Sequence, residues 1–172
     1  MGSLGRRIPP VVVVPVGSGG FCEGLFLGFK ALAEAGYSEG VPRMIGVQAE
    51  RCPPIHRAFA EGLDDYADVE VEITVAEGIA VQRPPRAKAV LKAIRESRGY
   101  TIGVKEEEII SALKVLFSMG LFVEPTSATV LAAWLKMAPE EREGAVLILT
   151  GSGLKETKKL GEIWLQGREG LS

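Results

Sequence analysis

Two glycine-rich turns hold the residues best suited to chemistry in this chain: Val16-Gly17-Ser18-Gly19-Gly20 and Leu149-Thr150-Gly151-Ser152-Gly153. Each follows an apolar run, and the first leads straight into a helical pattern. Such a turn aims several backbone N–H groups at one point beside the positive end of a helix dipole, and glycine lets an anion come close. No lysine follows in the G-x-x-x-x-G-K pattern, so this is not an ATP-type loop. The dinucleotide pattern G-x-G-x-x-G also fails, because Cys22 holds the third position. A phosphate site and a packing-only strand–helix connection both fit the spacing.

The remaining candidates are weaker. Cys22 follows the turn at a helix start, where a thiol gains reactivity; the alternative, preferred here, is a small buried hydrophobe. His56 has no evident orienting partner and is expected to be solvated on a surface helix. Glu106-Glu107-Glu108 would point in different directions on a helix, which suits a solvated, dipole-favoured first turn better than a metal site. Arg83 and Arg86 flank Pro84-Pro85, where a substrate anion or plain solvent could face them.

The elements that must position these groups alternate between strand and helix. Val11 to Val14 is unbroken and β-branched, as in a strand covered on both faces of a parallel sheet. Phe21 to Ala35 predicts a helix without a clean apolar stripe, hence burial around much of its circumference. Met44 to Val47, Tyr100 to Val104 and Ala145 to Leu149 predict further strands, the last a buried one. Helices are expected from Pro53 to Gly62, Arg86 to Ser97, Lys105 to Met119 and Thr126 to Met137. Val69 to Val75 alternates charged and apolar residues, which predicts an edge or flap exposed on one side. Together these predict one open, three-layer α/β/α domain with a mainly parallel sheet over residues 11–160. A disordered lead is expected at 1–10 and a frayed tail at 161–172.

Composition bounds the function. At 172 residues, with 47% hydrophobic residues, the chain can bury a substantial core. A net charge of −2 gives no electrostatic case for nucleic acid or an anionic membrane as partner, and no apolar stretch approaches a spanning helix. Cys22 and Cys52 fit neither a disulfide framework nor a metal spacing, so a reducing cytoplasm is expected. The chain lacks asparagine, a mild hint of heat tolerance.

Five ordered segments stand out: Val14 to Phe21 (VPVGSGGF), Val41 to Glu50 (VPRMIGVQAE), Ala76 to Val81 (AEGIAV), Val123 to Ala128 (VEPTSA) and Leu149 to Glu156 (LTGSGLKE). Together they resemble the carboxyl half of threonine synthases, pyridoxal-phosphate enzymes of the tryptophan synthase β-like fold. The Ala76 to Val81 wording is nearer the serine/threonine dehydratases. The resemblance implies that Gly17, Ser18, Gly19, Gly20 and Phe21 hold the phosphate of pyridoxal phosphate. It implies that Thr150 places its hydroxyl against the pyridine nitrogen, that Gly78 and Ile79 line the ring, and that Glu124 supports the pocket floor. Ser152 stands where the family has histidine.

The resemblance also implies that the Schiff-base lysine belongs to an amino half, in a Ser-x-Lys-type motif. None of Lys30, Lys88, Lys92, Lys105 or Lys155 has that context. No catalytic residue is therefore expected in this chain, and weak or absent cofactor binding by the chain alone. A partner is expected: the missing half as a separate chain, or further copies of this one. An excised piece, a split enzyme and a catalytically inactive relative all fit. Three functions follow as expectations. The first is a threonine synthase-type lyase acting on O-phosphohomoserine; the others are a dehydratase-like piece and a non-catalytic phosphometabolite-binding or assembly module.

Overall fold

The structure, a computed structural model, describes residues 8–166. Residues 1–7 of the lead expected at 1–10, the last residues of the expected tail and the side chain of Trp164 lie outside the described residues, while Pro10, at the end of that lead, accepts from the Arg43 amide. Four parallel strands form one sheet: β1 (Val11–Pro15), β2 (Arg43–Ala49), β3 (Tyr100–Val104) and β4 (Val146–Leu147), in the order β3-β2-β1-β4. Val13 of β1 lies opposite Ile45 of β2 on one side and Leu147 of β4 on the other.

The unbroken valine run has a direct physical reading. Successive side chains point to opposite faces of a strand. Val11 and Val13 enter one apolar cluster with Ile45 and Val47, while Val12, Val14 and Val16 enter a second with Met44. Helices α1 (Gly20–Glu34), α2 (Pro54–Ala60) and α3 (Ala87–Glu96) cover the second cluster. Helices α4 (Glu106–Ser118) and α5 (Pro125–Lys136) cover the first. The chain steps outward from β1 through β2 to β3, with crossover helices on one face. It then returns to β4 beside β1 through helices on the other. The domain is thus an open three-layer α/β/α sandwich whose topological switch point lies between β1 and β4, where a parallel sheet forms its ligand crevice.

A short helix, α6 (Pro139–Arg142), precedes β4, and α7 (Thr157–Gln166) runs across the point where a tail was expected to begin. Among the described residues no helix is long and apolar enough to cross a membrane.

Two expectations need correction, and a third is narrowed. The run Ala145 to Leu149 is not a buried strand. Among the described residues β4 pairs only with β1 and has no strand on its outer edge, and Val146 is 41% exposed. Helix α1 is not buried around its circumference: Cys22 and Phe26 face the core, while Phe21, Leu27 and Leu32 are exposed on its outer side. The mixed pattern arises because α1 packs on the sheet and α3, with no third layer over it among the described residues. The 69–75 segment, expected at an edge or in a flap, is a flap. Arg51 donates to the Ile73 carbonyl, and Glu106 accepts from the Thr74 hydroxyl and the Val75 amide. Ile73, at 88% exposed, projects into solvent.

Candidate functional site

Because β1 and β4 are neighbours and parallel, the glycine turns that leave them emerge side by side. The first turn spans Val16 to Gly20 and opens α1. Gly19 has φ 93°, in the left-handed region, and a Cβ there would come within 2.6 Å of Val90 on α3. Only glycine fits. The Ser18 carbonyl accepts from the Arg86 amide, and the Arg86 guanidinium pairs with Glu23 on α1 at 2.6 Å. Arg86 thus ties the N-terminus of α3 to the turn and is engaged by Glu23 rather than open to a substrate anion.

The amides of this turn decide whether an anion can be held. The Val16 amide donates to the Val47 carbonyl as the last rung of the ladder. From Gly17 to Cys22, no backbone N–H has an acceptor among the described residues. Those from Gly20 onward are the orphan donors of the first turn of α1. Uncommitted amides at the positive end of a helix are the donor set a phosphate requires.

A cavity of about 200 Å³ opens in front of them. Gly17, Ser18, Gly19 and Phe21 line one side. Gly78 and Ile79, in the 3₁₀ turn Glu77–Ile79, line a second, and Glu124, Thr126 and Thr150 a third. Gly20 alone of the sequence-derived set is not in the lining; it begins α1 and faces the outer groove of that helix. The walls touch closely. A Cβ on Gly17 would lie 3.0 Å from the Gly78 carbonyl, and one on Gly78 would lie 2.7 Å from the Thr126 hydroxyl.

The third wall is built by the start of α5. Glu124 caps that helix, with Pro125 at its first position, and its amide donates to the Gly151 carbonyl at 3.1 Å. The Glu124 carboxyl packs directly against Gly151, where any side chain would collide with it. Ser127, fully buried, exchanges hydrogen bonds with the backbone of Gly151 and so fixes the residue after Thr150. Two residues that hold this site were not assigned to it from the sequence: Ser127, and Glu106, which anchors the segment leading into the Glu77–Ile79 turn. Lys159 on α7 adds to that anchorage, donating to the Val75 carbonyl and pairing with Glu77 at 2.5 Å.

The weaker candidates sort clearly. Cys22 is fully buried, and loss of solvation, aided by the neighbouring Glu23 charge, pushes its thiol up to about 12, which leaves it inert. His56 lies away from the cavity and is not simply solvated: its Nδ1 is 2.9 Å from the Thr101 hydroxyl, and its ring packs over Gly103. Burial lowers its pKa, with Glu50 opposing and Lys136 adding to the effect. Glu106 and Glu108 are likewise engaged rather than simply solvated: Glu106 accepts from Thr74 and Val75, and Glu108 accepts from the Lys105 amide at the start of α4 and pairs with Lys136. Among the described residues no group of side chains suits a metal ion.

Comparison with known proteins agrees with this geometry. Residues 3–151 match the family model described as "Pyridoxal-phosphate dependent enzyme". The chain is 37% identical over 158 residues to the threonine synthase of Methanocaldococcus jannaschii, covering 89% of this chain and 39% of that protein. It is 34% identical over 165 residues to the threonine synthase of Methanosarcina acetivorans, covering 93% and 41%. The chain thus spans about two-fifths of the length of these relatives. Among solved structures, the T.th. threonine deaminase superposes with a TM-score of 0.66 at 28% identity, over 85% of this chain and 49% of that one. The threonine synthase of Escherichia coli superposes with a TM-score of 0.63 over 95% and 37%, and at 17% identity it shows the shared fold alone. With uncommitted amides at the switch point of a parallel sheet and a match over most of its length, this chain belongs to the pyridoxal-phosphate dependent enzyme family.

Proposed function

We propose that this chain is the phosphate- and ring-binding part of a threonine synthase-type lyase, which converts O-phosphohomoserine and water to threonine and phosphate. The observation that carries the reading is the set of uncommitted amides from Gly17 to Cys22, in a turn whose Gly17, Ser18, Gly19, Phe21 and Cys22 line the same cavity as Thr150. The identity to two threonine synthases supports the substrate class.

When bound, pyridoxal phosphate supplies an electron sink next to the amino-bearing carbon of the substrate. The residues of this chain hold and shape that group. Gly17 to Phe21 take the phosphate through backbone N–H groups, with the Ser18 hydroxyl and the α1 dipole adding to the attraction. Gly78 and Ile79 confine the ring. Thr150 offers a neutral hydroxyl to the pyridine nitrogen, which disfavours a fully protonated ring and steers chemistry toward elimination and replacement. Glu124, fixed by packing on Gly151, would support the floor of the pocket.

No lysine lines the cavity among the described residues. The lysine that carries the cofactor, and the part of the site facing this cavity, are assigned to a polypeptide matching the other three-fifths of the relatives. A self-associated assembly completed by that polypeptide, in the reducing cytoplasm, suits two free, buried cysteines. The dehydratase alternative is favoured by one observation, the likeness to a threonine deaminase at 28% identity.

The test combines this chain with the amino-terminal three-fifths of the Methanocaldococcus jannaschii threonine synthase and follows phosphate release from O-phosphohomoserine. The proposal predicts release that requires both polypeptides and is lost in Gly19→Ala. Formation of 2-oxobutanoate from threonine instead would establish the deaminase reading. Failure of both reactions, with both polypeptides folded and associated, would overturn the catalytic assignment.

A further inference from the structure

Gln48 is a polar side chain in the middle of the apolar core. It sits near the end of β2, is 1% exposed, and makes three hydrogen bonds, one at the root of the glycine turn and two at the start of α2. Its amide nitrogen donates to the Val16 carbonyl at 3.0 Å, and its amide oxygen accepts from the Ile55 and His56 amides at 2.8 and 3.0 Å. A buried polar group persists in a core only when its partners are all in place.

The partners are informative. Ile55 and His56 are in the first turn of α2, whose amides have no partner within the helix. Val16 is the last residue before Gly17, and its own amide is bound to Val47 of β2. Val16 is therefore held on both sides, its amide by the β2 backbone and its carbonyl, which belongs to the next peptide unit, by the Gln48 side chain. The plane of the Val16–Gly17 peptide also sets the direction of the Gly17 N–H, since the carbonyl and that N–H belong to one rigid unit and point opposite ways. A carbonyl drawn toward Gln48 sends the Gly17 N–H away from it, on the side where the turn opens.

We propose that Gln48 is a positioning residue for the anion cup: by holding the Val16 carbonyl it orients the first N–H of the Gly17–Cys22 series. This rests on reading that turn as a phosphate site. Gln48 does not touch the ligand, since the cavity is lined by Gly17 and its neighbours and not by Gln48. Its effect passes through one peptide plane. A leucine or methionine would fill the same volume, satisfy the apolar surroundings and leave the Val16 carbonyl free to rotate.

The test compares wild type, Gln48→Met and a control, Ile109→Val, a fully buried position on α4 across the sheet. Amide resonances are recorded with and without inorganic phosphate. For Gln48→Met, shifted Gly17 to Gly20 amide resonances in the free protein are predicted, together with phosphate affinity about five- to tenfold weaker. Ile109→Val loses stability but keeps both the resonances and the affinity. Should Gln48→Met fail to fold, Gln48→Glu, measured at alkaline pH where its carboxyl is ionised, keeps an acceptor for Ile55 and His56 while losing the donor to Val16, and the same loss of affinity is expected. Unmoved Gly17 to Gly20 resonances, or an affinity loss no larger than in Ile109→Val, would overturn the inference. If wild type ignores phosphate altogether, the phosphate reading fails, while the resonances of the free variants still decide whether Gln48 orients the turn.

Discussion

The Ser127 hydroxyl accepts a hydrogen bond from the Gly151 amide at 2.9 Å and donates one to the carbonyl of the same residue at 3.2 Å. One buried side chain thereby clamps both polar groups of the residue that follows Thr150, and locks the second glycine turn to the start of α5. Ser127→Ala leaves the Gly151 N–H without this partner. An unmade bond of this kind costs about 1 kcal/mol, toward the low end because Gly151 is partly accessible. A lowered midpoint in chemical denaturation is expected. An unchanged midpoint would show that water replaces the clamp.

Glycine plays opposite parts at two positions of one helix. Gly19→Ala puts a Cβ against Val90 at a left-handed φ, and destabilisation above about 1 kcal/mol is expected together with loss of phosphate binding. Gly28, within α1, has open space around it, so Gly28→Ala is expected to stabilise by about 0.5–1 kcal/mol without touching the site. Thermal midpoints moving in opposite directions check both statements at once.

His56 gives a pH signature with a definite sign. Burial lowers its pKa in the folded state below the ordinary 6.5, so the unfolded chain takes up the proton first as the solution is acidified. The contribution is fully present above pH 6.5 and is lost as pH falls from there toward the lowered folded value. Glu108 and Glu141, both lowered from 4.5, add losses only in more acidic solution. His56→Gln should therefore flatten the stability profile just below pH 6.5 and leave the steeper acidic part intact. A profile identical to wild type would contradict the assignment.

What the sequence discloses depends on how local its cause is. Val11 to Val14 and the turn from Gly17 to Phe21 are legible because β-branched runs and glycines act through their own backbone. The run Ala145 to Leu149 is equally apolar but lies on an open edge, because hydrophobicity records a wish for cover and not whether a strand supplies it. Val69 to Val75 alternates like a strand, yet side chains distant in sequence, Arg51 and Glu106, hold it as a flap. The roles of Ser127 and Gln48 were missed for a related reason. A lone polar residue in an apolar stretch carries no pattern, and its partners are known only once β1, β2 and α5 are assembled.

The central claim is that the N–H groups from Gly17 to Cys22 receive a phosphoryl group, and amide spectroscopy tests it most directly. The chain is titrated separately with pyridoxal phosphate, inorganic phosphate and pyridoxal. Saturable shifts confined to Gly17 to Cys22 are predicted with the two phosphate-bearing ligands and not with pyridoxal. Silence of those amides toward both phosphates, or an equal response to pyridoxal, would contradict the account.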